Sequence, residues 1–317
     1  MSFQIVGTGR AHPALVLTNE MVSEIVDTTD EWITSRTGIK TRYVSTTETL
    51  LDLAVEASKK ALASAGIESK DLDMIICSTI KGDYVTPSMA CLIQRDIEAK
   101  CPSFDFNAAC SGFVYGLDMA DAYIRAGKAE TILLVSAEAM TRHIDWTDRA
   151  TCVLFGDGAG AVVLKKGDGL RSIKITAKGD DKLLVIGSVF SPSPFAKQPQ
   201  IDPAFRMNGG EVFKFAVSSV IKDVKQVMKE AGVEAKDIAM MVPHQANLRV
   251  FQAARDKLGF TDEQIANGID HYGNTSSASI PLLLDELMEQ GRLVKGDLIV
   301  LTAFGGGLTT GACVIKL

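Results

Sequence analysis

A thiol, an imidazole and a carboxamide can share acyl-transfer chemistry, and in this chain each stands beside a turn of small residues. Cys110 lies in Asp105-Phe106-Asn107-Ala108-Ala109-Cys110-Ser111-Gly112-Phe113. That stretch reads as the end of a buried segment, a tight turn, then a helix carrying Phe113, Leu117, Ala120, Tyr123 and Ile124 at helical spacing. The spacing predicts Cys110 as the first or capping residue of that helix. Unpaired backbone N–H groups and the positive end of the helix dipole favour a thiolate there. His244 follows an apolar run in Pro243-His244-Gln245-Ala246-Asn247, a better place for chemistry than His12 or His143. Asn274 sits in Gly273-Asn274-Thr275-Ser276, and Phe304 opens the run Gly305-Gly306-Gly307. Consecutive glycines let backbone N–H groups approach a ligand closely, as an oxyanion hole requires. Each piece alone has a plainer reading: an inert buried thiol, a structural histidine, a turn asparagine, a glycine hairpin.

The elements that must position these residues repeat. Ala65-Gly66-Ile67-Glu68-Ser69-Lys70-Asp71-Leu72-Asp73-Met74 aligns with Ala231-Gly232-Val233-Glu234-Ala235-Lys236-Asp237-Ile238-Ala239-Met240, an offset of 231 − 65 = 166. An amphipathic helix precedes each copy, Leu50–Ala65 in the first and 212–231 in the second, and a glycine ends each. Strands are expected at 3–6, 72–77, Ser103–Phe106, 131–135, 152–155 and 159–164, with a turn at 156–158, a helix at 87–97 and a polar connection over 137–150. The chain thus divides into two similar α/β halves, 1–166 and 167–317, with parallel-rich sheets covered by helices. At the same offset Cys110 corresponds to Ser276 and Met74 to Met240. Pseudo-twofold packing would bring Cys110, His244 and Asn274 to one pocket.

Composition excludes several alternatives. The 317 residues are 46% hydrophobic, enough for a sizeable core, and the net charge of −6 argues against nucleic acid as a partner. Six scattered cysteines form no C-x-x-C pair, so neither a zinc site nor a disulfide framework is expected. No apolar run approaches the ~20 residues of a membrane span, and the amino terminus carries no secretory pattern. A cytoplasmic protein with free thiols is expected. Gly7-Thr8-Gly9 has no third glycine in register and is a weak dinucleotide signal.

The motifs together resemble the ketoacyl-ACP synthase III family, condensing enzymes on the thiolase fold. The resemblance rests on Asp30-Glu31-Trp32-Ile33, Arg36-Thr37-Gly38-Ile39, Ala108-Ala109-Cys110-Ser111-Gly112-Phe113, Asp148-Arg149 and Phe155-Gly156-Asp157-Gly158-Ala159-Gly160. Pro243-His244-Gln245-Ala246-Asn247, Gly273-Asn274-Thr275-Ser276 and Phe304-Gly305-Gly306-Gly307 complete it, in the family's order along nearly the whole chain. It implies an α/β thiolase-like fold, two duplicated halves in α-β-α-β-α layers, and a homodimer.

By the same resemblance, Cys110 takes an acyl group from acyl-CoA, and the N–H groups of Cys110 and Gly306 form the oxyanion hole. Malonyl-ACP then loses CO2, with His244 and Asn274 stabilising the carbanion, to give 3-ketoacyl-ACP without metal or other cofactor. Trp32, Arg36, Arg149, Asn208, Gly209 and Asn247 are implied as CoA contacts. Lys214, Arg249 and Lys257 are the candidate contacts for acidic acyl carrier protein. Thr86, Met89 and Phe304 are the expected acyl-pocket residues; acetyl-preferring members tend to carry an aromatic residue where Thr86 stands, so a longer or bulkier acyl group is expected here. The alternative is a related acyltransferase or starter-unit enzyme of a specialised polyketide or lipid pathway.

Overall fold

The computed structural model describes residues 1–189, 194–195 and 201–317. Two sheets share one topology. In the first, Ser2–Ala11, Asp157–Gly167, Thr131–Ala139, Met74–Ser78 and Ser103–Phe106 lie side by side in that order, the first two pairings antiparallel and the last two parallel. In the second, Leu170–Asp180, Gly307–Lys316, Leu298–Gly305 and Met240–Pro243 follow the same order and directions. A parallel bridge from Met241 to Ile265 stands where the first sheet has its fifth strand.

Helices make the remaining layers. Gly112–Arg125 and Ser279–Glu289 lie between the sheets, and their Phe113, Leu117, Ile280 and Leu284 join Ile76, Leu134, Val242 and Leu301 in one central core. Leu50–Ala65 and Met89–Asp96 cover the outer face of the first sheet. Gly209–Ala231 and Leu248–Leu258 cover that of the second. The layering is α-β-α-β-α. Met74–Ser78 and Thr131–Ala139 are buried at every position, as strands covered on both faces must be.

Local sequence explains the boundaries. Thr49 and Asp52 form a capping box at the start of Leu50–Ala65, and Gly66 ends it at φ 64°, a conformation that favours glycine. Gly7 and Gly9 are packing residues: a Cβ at either would lie 2.5 Å or less from backbone atoms of Leu50–Ala65. Three expectations are corrected. Residues 152–155 form no strand, because Asp148 caps a short helix at Arg149–Cys152, its side chain accepting from the Ala150 N–H. Asp157 and Gly158 belong to the strand Asp157–Gly167 rather than to a turn. Ala137, Glu138 and Ala139 finish the strand Thr131–Ala139, which extends beyond 135.

The register of the repeat also shifts. Each half has a three-residue 3-10 turn before its central helix, Ala109–Ser111 and Ser276–Ala278. Each turn opens on a non-glycine residue of positive φ, Ala109 at 48° and Ser276 at 51°. The offset here is 276 − 109 = 167, one more than in the earlier helix and strand. Cys110 therefore faces Ser277 in the duplication, not Ser276.

Candidate active site

The nucleophile turn is braced from three sides. Asn107 Oδ1 accepts from the Ala109 N–H at 2.9 Å, and Thr309 Oγ1 donates to the Ala108 carbonyl at 3.0 Å. The end of the strand Leu298–Gly305 presses against the turn: a Cβ on Gly305 would sit 2.7 Å from the Cys110 nitrogen. The α-helix begins at Gly112 with Ser111 as its cap, so Cys110 lies inside the preceding 3-10 turn and is not the cap residue. Cys110 is half-buried. Desolvation pushes its thiol up to about 12, opposed by a Ser276 hydroxyl hydrogen bond and reinforced by Glu138. Burial thus works against the expected thiolate.

His244 is almost fully buried after the strand Met240–Pro243, with its ring edge-on to Phe304 at 5.5 Å between centroids. Burial lowers its pKa to about 3, so the imidazole is neutral. Its Nδ1 lies 2.8 Å from Ser279 Oγ, which also accepts from the Gln245 N–H at 3.3 Å. Where the Ser279 hydroxyl donates to Nδ1, the other ring nitrogen carries the hydrogen and is a donor. Asn274 is fixed by its backbone to Leu154 and Gly156. Its Oδ1 accepts from the Ser276 N–H at 2.9 Å, which leaves the amide NH2 as the unengaged end.

Ser276 ties several of these groups together. Its N–H holds Asn274, its backbone bonds the His244 ring, and its hydroxyl donates to Glu138. Glu138 is only 2% exposed. Its Oε1 accepts from Ser277 Oγ at 2.6 Å and Ser276 Oγ at 3.2 Å, and its Oε2 from the Ile80 N–H at 3.0 Å. Desolvation without a cation raises this carboxyl to about 7. Sequence reading passed over Glu138 and Ser279. Glu138 stood inside a stretch read as polar connection; the signal that could have found it is its place beside Ala137 and Ala139 at the end of an apolar run.

Cys110, His244, Asn274, Phe304 and Gly306 line one cavity of about 760 Å³, with Trp32, Arg36, Gly209 and Asn247 also on its wall. Asn247 Nδ2 donates to the Arg36 carbonyl at 3.0 Å, joining the two sides of the mouth. The guanidinium carbons of Arg36 and Arg149 each lie 4.8 Å from the Trp32 ring centroid. Arg149 is held by the Asp27 carbonyl and does not line the cavity; nor does Asn208, which caps the helix Gly209–Ala231. Lys214, Arg249 and Lys257 are exposed on the helices Gly209–Ala231 and Leu248–Leu258, Lys214 paired with Glu211 and Arg249 over Phe213.

The structure does not bring Thr86 or Met89 to this cavity. Thr86 is exposed and Met89 is packed in the outer core against Leu50–Ala65. The apolar wall is formed instead by Ile80, Met140, Val153, Phe155, Ile186 and Phe205. Among the described residues no group of three or more His, Cys, Asp or Glu could hold a metal ion, and no helix is long and apolar enough to cross a membrane.

A duplicated five-layer fold with a cysteine, a histidine and an asparagine on one cavity defines the thiolase-like condensing enzymes. Family models described as 3-oxoacyl-[acyl-carrier-protein (ACP)] synthase III match residues 104–180, and its C-terminal counterpart matches 228–317. The beta-ketoacyl-[acyl-carrier-protein] synthase III of Xanthomonas campestris pv. campestris is 46% identical over 99% of this chain and 98% of its own. That of Clostridium beijerinckii is 44% identical over 99% of both. The crystal structure of 3-oxoacyl-[acyl-carrier-protein] synthase III from Aquifex aeolicus VF5 superposes with a TM-score of 0.93 at 42% identity, covering 99% of this chain and 100% of that one. The chain belongs to the beta-ketoacyl-ACP synthase III family. It is a condensing acyltransferase of fatty-acid biosynthesis.

Proposed function

We propose that this enzyme starts fatty-acid chains by decarboxylative condensation of an acyl-CoA with malonyl-ACP, giving 3-ketoacyl-ACP, CO2 and CoA. One observation carries the reading: Cys110, neutral His244 and Asn274 line a single cavity. The Cys110 sulfur attacks the acyl-CoA carbonyl, the C–S bond to CoA breaks, and the acyl group stays on Cys110. The N–H groups of Cys110 and Gly306 bind the oxyanion of that step. Malonyl-ACP then loses CO2; negative charge develops on its thioester oxygen, where the His244 N–H and the Asn274 amide donate. A neutral imidazole offers one ring N–H as a donor and adds no net charge to the buried site. The chemistry asks for no metal or other cofactor.

The mouth of the cavity supports the substrate assignments. Trp32 offers a flat face to adenine, with Arg149 closing over it once it lifts from its present stacking, and Arg36 faces the phosphates. Gly209 and Asn247 border the path of the pantetheine arm, with Asn208 behind them capping the helix Gly209–Ala231. Lys214, Arg249 and Lys257 form the exposed basic face that would meet an acidic carrier protein. The apolar wall around Phe155 and Phe205 takes the acyl chain. Thr86, exposed on this chain, would reach the pocket only of a second copy, which fits a homodimer working in the cytoplasm. Full-length identity to fatty-acid enzymes favours this reading over a specialised starter-unit enzyme. The test is product mass: purified protein, malonyl-ACP and a panel of acyl-CoAs should yield 3-ketoacyl-ACP with one CO2 and one CoA. CoA release without CO2 would overturn the reading.

A further inference from the structure

Condensation joins what the two turns hold: the acyl group on Cys110 must lie within bonding reach of the carbanion at His244 and Asn274. The spacing of the turns therefore bears on the rate of that step. The turns are built alike. Asn107 Oδ1 accepts from the Ala109 N–H and Asn274 Oδ1 from the Ser276 N–H, both at 2.9 Å. The offset of the two asparagines, 274 − 107 = 167, is that of the turns themselves. Their amide NH2 groups differ in use. That of Asn274 is unengaged, whereas Asn107 Nδ2 donates to the Ile80 carbonyl at 3.3 Å.

Ile80 is a meeting point. Its carbonyl receives Asn107, and its N–H donates to Glu138 Oε2 at 3.0 Å. The other carboxyl oxygen, Oε1, accepts from Ser277 Oγ at 2.6 Å and from Ser276 Oγ at 3.2 Å. One side chain at the end of the strand Thr131–Ala139 thus grips the second turn directly, and the nucleophile turn through Ile80 and Asn107. Glu138 is buried, where hydrogen bonds are stronger than in water. Ile80 and Asn107 stand on the cavity wall, whereas Glu138 lies behind it.

We propose that Glu138 is a positioning residue that sets the distance between acyl-Cys110 and the carbanion, with Asn107 as its arm to the nucleophile turn. The inference rests on the condensing reaction proposed above. The step it controls is capture of the carbanion. When malonyl-ACP loses CO2, the electron pair left on carbon has two fates. It can form the new C–C bond to the acyl carbonyl, which expels the Cys110 thiolate. Otherwise it takes a proton from water, leaving acetyl-ACP and hydroxide. The first fate depends on the gap between the turns and the second does not. A slack brace therefore wastes malonyl groups rather than stopping the chemistry.

The test measures ketoacyl-ACP, acetyl-ACP and CO2 in one reaction of acyl-CoA with malonyl-ACP. The parent should give ketoacyl-ACP and CO2 in equal amounts. Asn107→Asp keeps an oxygen for the Ala109 N–H but turns a second oxygen towards the Ile80 carbonyl, opening the arm at an exposed position. Glu138→Ala removes both grips. Each should lower ketoacyl-ACP per CO2 about tenfold, within the ~10²-fold that a displacement of about 1 Å can cost. Acetyl-ACP should make up the difference, and acylation by acyl-CoA alone should stay near the parental rate. Glu138→Gln should restore the parental ratio, because its oxygen can face the Ile80 N–H and its NH2 the two serine oxygens, which accept as well as donate. If Glu138→Ala does not fold, Asn107→Asp decides alone. Variants that keep the parental ratio, or that lose acylation, CO2 and ketoacyl-ACP in parallel, would overturn the positioning role. So would a Glu138→Gln as uncoupled as Glu138→Ala. A parent that releases no CO2 from malonyl-ACP would overturn the functional reading instead.

Discussion

The two 3-10 turns that open the central helices have nearly the same backbone and opposite duties. Ala109–Ser111 presents a thiol, whereas Ser276–Ala278 presents hydroxyls and N–H groups that hold the other participants in place. The residues opening the two helices make the contrast concrete. A Cβ on Gly112 would lie 1.8 Å from Ser78 Oγ and 3.1 Å from Ser277 Cβ, so the first helix starts with glycine chiefly because the end of the strand Met74–Ser78 lies against it, with the second turn close behind. At the matching place Ser279 has room for a side chain and spends its hydroxyl on His244. The duplication has conserved a shape and divided a reaction: covalent storage on one side, charge stabilisation on the other.

The largest effect should come from breaking the storage side. Cys110→Ala should abolish acyl-enzyme formation, checked by intact mass after incubation with acyl-CoA; a variant still gaining one acyl mass would place the nucleophile elsewhere. Next comes the hydroxyl on the other side. Ser279→Ala frees the His244 ring to turn or change tautomer and should slow CO2 release from malonyl-ACP by up to about 10²-fold, since small misplacements of a donor are costly. Acylation of Cys110 should change little, and an equal loss in both half-reactions would blur the division of labour.

Glu138 accepts from the second turn and makes a pH-dependent difference in stability. Its folded pKa, about 7, lies above the ordinary value of 4.5, so the folded state binds this proton more tightly than the unfolded chain. The parent's stability relative to Glu138→Gln should therefore be greatest below pH 4.5. It should fall as pH rises to about 7, by on the order of 3 kcal/mol, and stay level above. Urea unfolding of both proteins at pH 4.5 and 8 measures it; a constant difference would contradict the buried, cation-free carboxyl. The smallest effect is at the rim. Arg249→Glu should reduce kcat/KM for malonyl-ACP several-fold at low salt and less at high salt, where exposed charges are screened over about 10 Å. Acylation by acyl-CoA should be untouched.

Much of the architecture was legible because it is local. Leu50–Ala65 announced itself by periodicity and by Gly66, and the repeat announced the second copy. The failures have physical causes. Residues 152–155 are a four-residue apolar run, too short to separate strand from helix end, and the cap at Asp148 decided it. The one-residue shift of the repeat lies in the segment between Met74 and the turn, where the halves differ. Cys110 was placed by the turn and the helical spacing after it, but the desolvation that pushes its thiol up is a property of packing that no spacing encodes. Glu138 owes its role to Ser276 and Ser277, 138 and 139 positions away.

The central claim is that one turn stores the acyl group while His244 and Asn274, held in place beside the other, stabilise the carbanion. Parallel samples of the parent, His244→Ala and Asn274→Ala, each given acyl-CoA and then malonyl-ACP, test it through acyl mass on the protein and CO2 released. The account predicts near-parental acylation in both variants, with CO2 release lowered about 10²–10³-fold, as for the loss of an oxyanion-stabilising donor. Parental CO2 release from either variant, or loss of acylation in both, would contradict it.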